Sequence, residues 1–170
     1  SFNVVALNNT VMPADDRAAK VNFQRKVSKL QAEMGEFSRK FSEVTNKIPY
    51  IDEAIKRVEQ PIDEISKMAW DVKQSIKEVN LKFYGDNVKS RLDIQSNLTP
   101  YSRLGSVAYY QKYSTAAPTK THMDSYEIAK EEFEPIKVLV NKLKSEMHIL
   151  EKMLKDSGAP YTPGRPKAIN

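Results

Sequence analysis

Few side chains in this sequence are able to do chemistry, and they are scattered. There are two histidines, His122 and His148. They stand about seven helical turns apart if one helix carries both, too far to share a metal ion without a fold-back. Glu131, Glu132 and Glu134 cluster just before Pro135. Paired carboxylates roughly 5–9 Å apart cleave glycosidic bonds, one as acid and the other as base or nucleophile. Acids on a solvated helix face are also the ordinary content of a helical bundle, and a lysine across the bundle is the expected partner for Glu131. Tyr101, Tyr109, Tyr110 and Tyr113 gather beside Arg103 and Lys112. Such a mixture can stack bases or sugars, but the favoured reading has these rings plugging the flank of a bundle. Trp70, next to the apolar position Ala69, is expected to pack. No H-E-x-x-H, Gly-rich phosphate loop, G-x-S-x-G or Glu-x-x-His pair is present. No catalytic, cofactor-binding or metal-ligating residue is therefore assigned, and the chain is expected not to be an enzyme.

The elements that position these residues are read from periodicity. Phe23, Val27, Leu30, Met34, Phe37, Phe41, Val44 and Ile48 alternate steps of four and three, which places them on one helical stripe. Met12-Pro13-Ala14-Asp15-Asp16 supplies a helix start, with proline in the first turn and acids at the positive end of the dipole. The phase continues through Ile51, Ile55, Val58, Ile62, Ile65, Ala69, Val72, Ile76, Val79 and Phe83. At Pro49 the stripe runs on without a polar loop, which predicts a kink. At Glu59-Gln60-Pro61 a tight turn is predicted, with Pro61 opening a new helix. Gly85 stops that helix, and Asn97 to Pro100 caps a short one through Leu104, Val107 and Tyr110. A Ser/Thr/Pro loop containing Pro118 follows. The last helix is predicted from Thr121 to Asp156, with Ala129, Phe133, Ile136, Val140, Leu143, Met147, Leu150 and Leu154 inward. Pro135 should kink it, and Gly158 suits the left-handed residue after its end.

These stripes predict an all-α fold: an elongated, coiled-coil-like, antiparallel up–down–up bundle of three long legs plus one short helix. Residues 10–157 form the bundle. Residues 158–170 form a Pro/Gly-rich tail that packs back on it, through Tyr161 with Arg165 near an acid. Residues 1–9 differ: Phe2 to Leu7 reads as a strand with no partner in a helical chain. It is taken as the remnant of a preceding β domain.

Composition narrows the function classes. The 170 residues contain no cysteine, which removes disulfides and thiolate metal sites. The net charge is +5, which raises the question of nucleic acid. Residues 13–48 hold eight Lys/Arg against five acids, and residues 84–120 hold five against two. Residues 49–83 hold six against seven, and 121–157 six against eight. An excess spread this way makes no basic stripe, so a solvated mixed-charge surface is expected rather than a nucleic-acid face. No run approaches the ~20 apolar residues of a membrane span.

Three stretches carry a family resemblance. They are Ser1 to Val27, Arg103 to Ile136 ("RLGSVAYYQKYSTAAPTKTHMDSYEIAKEEFEPI") and Leu150 to Arg165 ("LEKMLKDSGAPYTPGR"). In order and spacing the chain resembles the C-terminal helical region of large bacterial proteins built around sortilin-like (VPS10-type) β-propellers of BNR repeats. Such proteins are often labelled glycosyl hydrolase or sialidase-like. The resemblance covers essentially the whole chain and is strongest after Arg103. The family usually has tryptophan where this chain has Tyr161, which keeps an aromatic anchor.

The resemblance implies that a β-sandwich precedes the helices and that any hydrolase chemistry resides in the propeller. It implies an extracellular, periplasmic or cell-envelope location. The parent's β-sandwich and β-propeller, or another protein, are the implied partners. The leading expectation is a non-catalytic accessory domain that braces the propeller or offers a protein–protein surface. The alternative is a contribution to a glycan-processing site of the parent, with Glu131, Glu132 or Tyr109 lining a cleft. Signature positions are Tyr109, Tyr110, Tyr113, Pro118, Tyr126, Glu131, Glu132, Phe133, Pro135, Tyr161 and Arg165.

Overall fold

A computed structural model describes Asp15 and residues 17–58 and 63–160. Among the described residues the chain is all-α, with no strand. The expected strand Phe2–Leu7, the helix start at Met12–Ala14, the turn at Glu59–Pro61, and Tyr161 and Arg165 of the tail lie outside the described residues. The helices are α1 (Arg17–Thr45), α2 (Ile48–Lys56), α3 (Asp63–Phe83), α4 (Asn87–Arg91), α5 (Pro100–Tyr113) and α6 (Lys120–Asp156).

The apolar stripes become the core. In α1, Phe23, Val27, Leu30, Met34, Phe37, Phe41 and Val44 are all buried. In α6 all eight expected positions from Ala129 to Leu154 are buried. In α3, Ile65, Ala69, Val72, Val79 and Phe83 are buried, while Ile76 packs at the margin. Each large apolar side chain taken out of water stabilises the fold by about 1.5–3 kcal/mol, so continuous stripes on three helices supply the main driving force. Phe37, Phe83 and Phe133 meet at the centre, one from each of α1, α3 and α6. Their ring centroids lie 4.7, 5.2 and 5.6 Å apart.

Side-chain pairs fix how the helices run. Along α1 and α6 the partners ascend together: Phe23 with Tyr126, Phe37 with Phe133, and Lys47 with Glu151. Along α3 and α6 they run in opposite order, Ser75 meeting Glu146 and Phe83 meeting Phe133. Helix α5 also opposes α6, through Gln111 with His122 and Arg103 with Glu132. Against α1, Gln24 and Lys20 donate to the carbonyl oxygens of Gln111 and Ser114.

Pro49 and Pro135 behave differently. The stripe predicts a kink at Pro49, but the helix closes at Thr45 and restarts at Ile48, with Pro49 in the first turn of α2. Proline has no N–H to give the Thr45 carbonyl, and its ring crowds that turn. In a first turn neither matters, because the N–H has no helical acceptor there. Helix α6, by contrast, is assigned unbroken through Pro135. Its close follows the sequence: Gly158 has φ +73°. Gly158 N–H reaches the Lys155 carbonyl at 3.1 Å and Ala159 N–H the Leu154 carbonyl at 2.9 Å, a Schellman close.

Candidate interaction surface

The flank formed by residues 84–119 starts at a sharp turn. Gly85 sits at φ +94°, a region that costs other L-residues about 1–2 kcal/mol. A Cβ there would stand 3.2 Å from the Thr99 methyl group, which would have to shift by a few tenths of an ångström, so backbone conformation is what chiefly demands glycine. Asp86 then caps α4, its carboxylate accepting from Val88 N–H at 2.9 Å and Lys89 N–H at 3.2 Å. Thr99 caps α5 in a reciprocal box with Ser102, and Pro100 opens the helix. The cap expected at Asn97–Pro100 is therefore made by Thr99.

Helix α5 keeps the three–four step, but not as expected. Leu104 and Val107 are buried, and the third inward position is Gln111, while Tyr110 points outward. The four tyrosines do not plug the flank. Tyr101, Tyr109, Tyr110 and Tyr113 are each more than half exposed. A fourteen-residue helix laid over α1 and α6 needs only one narrow stripe, and these rings fall off it. Tyr101 reaches the core edge through Phe83 and Tyr84, at 5.5 and 5.4 Å. Tyr109 contacts both Tyr110 and Tyr113, while Tyr110 stacks on His122 at 5.5 Å. Trp70 also fails to pack: it is 61 % exposed, because the inward position beside it belongs to Ala69.

The remaining signature residues separate into core and surface. Phe133 is fully buried, and Tyr126 is buried against Phe23 at 5.7 Å. Burial, with Glu127 and Glu33 adding to it, raises the Tyr126 phenol above its ordinary pKa. Pro118 is half-buried in the loop before α6, and Pro135 is exposed. Glu131, Glu132 and Glu134 are all exposed. The ion pair across helices falls to Glu132, which faces Arg103 at 3.5 Å, rather than to Glu131. Glu134 is held by Lys137 of its own helix at 2.5 Å. His122 is tied to Gln111 at 3.2 Å and His148 is exposed, so the two are not brought together. No group of three or more His, Asp or Glu side chains able to hold a metal ion occurs among the described residues.

Sequence reading missed three features. Helix α4 buries none of its residues, so no inward stripe announced it. The apolar side chains Val88, Leu92, Ile94 and Leu98 lie exposed along this stretch, and their irregular spacing gave no face to read. Glu151 is only 5 % exposed and pairs with Lys47 at 2.8 Å. Its place beside Leu150, at the stripe's edge, was the available signal.

Two grooves flank α5. One, of about 550 Å3, lies between the end of α3, α4, the 95–99 segment and α6, with Leu81, Leu98, Pro100, Pro135 and Ile136 among its walls. The other, of about 510 Å3, lies between α1 and α5. No helix of the described residues is long and apolar enough to cross a membrane. No family model, curated protein or solved structure matches this chain.

Proposed function

We propose that this chain is a non-catalytic helical interaction module of a larger, secreted or envelope-associated β-propeller protein. In this reading it braces the propeller through the flank built by α4 and the start of α5. One observation carries the proposal. Of sixteen exposed large apolar side chains among the described residues, five fall in the short stretch between Val88 and Tyr101. Exposed apolar side chains gathered in one stretch favour protein contact over solvent. The groove beside them continues the apolar character through Leu81, Leu98 and Pro135.

The architecture that presents this flank is read as an up–down–up bundle. Its first leg is α1 with α2, its middle leg α3 continued by α5, and its third α6. The ascending α1–α6 pairs and the opposed α3–α6 and α5–α6 pairs support that arrangement. Residues 1–9 are proposed as the last strand of a preceding β-sandwich and residues 158–170 as a tail clasping the bundle. The resemblance to sortilin-like propeller proteins supports both assignments and the extracellular, periplasmic or envelope location. It also supports keeping any glycosyl hydrolase chemistry in the propeller.

Chemical crosslinking of this chain with the separately produced propeller of its parent tests the bracing role. Crosslinks should map to residues 88–101, and the propeller should melt at a higher temperature in the mixture. Absence of crosslinks together with an unchanged propeller melting temperature sinks the proposal.

A further inference from the structure

The groove between α1 and α5 shares no lining residue with the groove at the proposed docking flank, and its chemistry differs. Three small side chains open it. Ser28 on α1 and Gly105 and Ala108 on α5 all line it, where larger side chains would fill the space. At Gly105 an added Cβ would meet nothing within 4 Å, so the space belongs to the groove rather than to packing. Its volume, about 510 Å3, falls within the 300–1,000 Å3 of small-molecule sites. Along α1 its wall runs from Gln24 to Gln31, about 10 Å by the rise of a helix.

The walls combine aromatic rings with neutral amides. Tyr109 and Tyr113 stand on the α5 side, centroids 4.9 Å apart and both largely exposed. Gln24 donates to the Gln111 carbonyl oxygen at 2.8 Å, which anchors its amide at the groove. Gln111 is only 3 % exposed. One end of its amide meets His122 Nδ1 at 3.2 Å and the other, Oε1, has no partner. Whichever way the amide is turned, one buried polar end stays unpaired, at a cost of about 1–3 kcal/mol. Among the described residues no carboxylate lines the groove and Lys112 is its single cation, drawn over the Tyr113 ring at 5.2 Å.

We propose that this groove binds a neutral oligosaccharide. The apolar C–H face of a sugar ring stacks on the electron-rich face of a tyrosine. Sugar hydroxyls both donate and accept, which matches Gln24, Gln31 and Ser28 along the walls. One lysine is too little charge for a phosphate backbone, whose affinity rises with each cation that neutralises a phosphate. The groove's length suits a disaccharide-sized stretch of a longer chain.

Nuclear magnetic resonance titration of the 170-residue chain tests this, with cellohexaose, xylohexaose and mannohexaose at millimolar concentration and decathymidylate as the contrasting probe. At least one hexaose should shift the Gln24, Gln31 and Gly105 resonances saturably, with no loss on adding salt. Gly105→Trp fills the groove and should abolish those shifts. Tyr109→Ala changes an exposed residue that folding does not need, and should weaken binding about fivefold to tenfold, the worth of one lost ring contact. Silence with all three hexaoses overturns the proposal, as does wild-type affinity in either variant. Shifts from decathymidylate alone, erased by salt, overturn it in favour of nucleic acid. None of these outcomes bears on the α4 flank, which is read by propeller crosslinking instead.

Discussion

Helix α6 and the α4–α5 flank are both rich in large apolar side chains, yet they dispose of them in opposite ways. On α6 the eight stripe residues from Ala129 to Leu154 are all nearly inaccessible. On the flank, Val88, Leu92, Ile94 and Leu98 stand in solvent together with four tyrosines. The difference lies in periodicity and neighbours. Steps of four and three keep a side chain on one face of a long helix, and α6 has α1, α3 and α5 to cover that face. Helix α4 has five residues and no such face. Apolar content alone does not make a core; a helical period with a partner does.

Substitutions break or sharpen that contrast, beginning with the largest effect. Phe133→Ala removes the ring shared by Phe37 and Phe83 and should cost about 3–5 kcal/mol in urea unfolding, by the rule for buried aromatic truncation. Lys47→Met strands the buried Glu151 carboxylate and should cost about 1–3 kcal/mol, the penalty of a buried polar group left unpaired. A Lys47→Met, Glu151→Leu double variant should recover most of that loss in the same assay, since the second change removes the unpaired charge. Thr99→Ala deletes the α5 cap and should cost about 1 kcal/mol, read as a lower midpoint of denaturation. Leu98→Ser should change stability by no more than about 0.5 kcal/mol, because its side chain is already exposed. It should nevertheless reduce crosslinking to the propeller. A Leu98→Ser cost of the Phe133→Ala size would erase the contrast between core and flank.

Much of the fold was legible because burial on a long helix leaves a periodic trace. All eight positions read on α6, and seven of the eight on α1, are buried, with Ile48 packed at the margin. The end of α3 before Gly85, the Thr99 cap and the left-handed Gly158 followed from local backbone chemistry. Legibility failed where neighbours decide. Pro49 was read as a kink because the stripe crosses it, but a backbone without the needed N–H restarts the helix instead. The tyrosines of α5 are expected to plug the bundle's flank and Trp70 to pack beside Ala69, but all five stand exposed because neither place in the sequence fixes which side of the helix meets a neighbour. The groove between α1 and α5 is lined by Ser28 together with Gly105 and Ala108, 77 and 80 positions further along, and no local pattern announces that.

The sequence by itself determined that this chain is helical, where its long apolar stripes lie and how the helices at Gly85 and Gly158 close. Those features come from side-chain period, capping chemistry and φ, all set within a few residues. Tertiary structure alone decided that Phe37, Phe83 and Phe133 share one centre, that Lys47 finds Glu151, and that the tyrosines face outward. It also decided that small residues on two distant helices leave a groove between them. Each of these requires side chains far apart in sequence to compete for the same space, and that competition is resolved only when the helices pack.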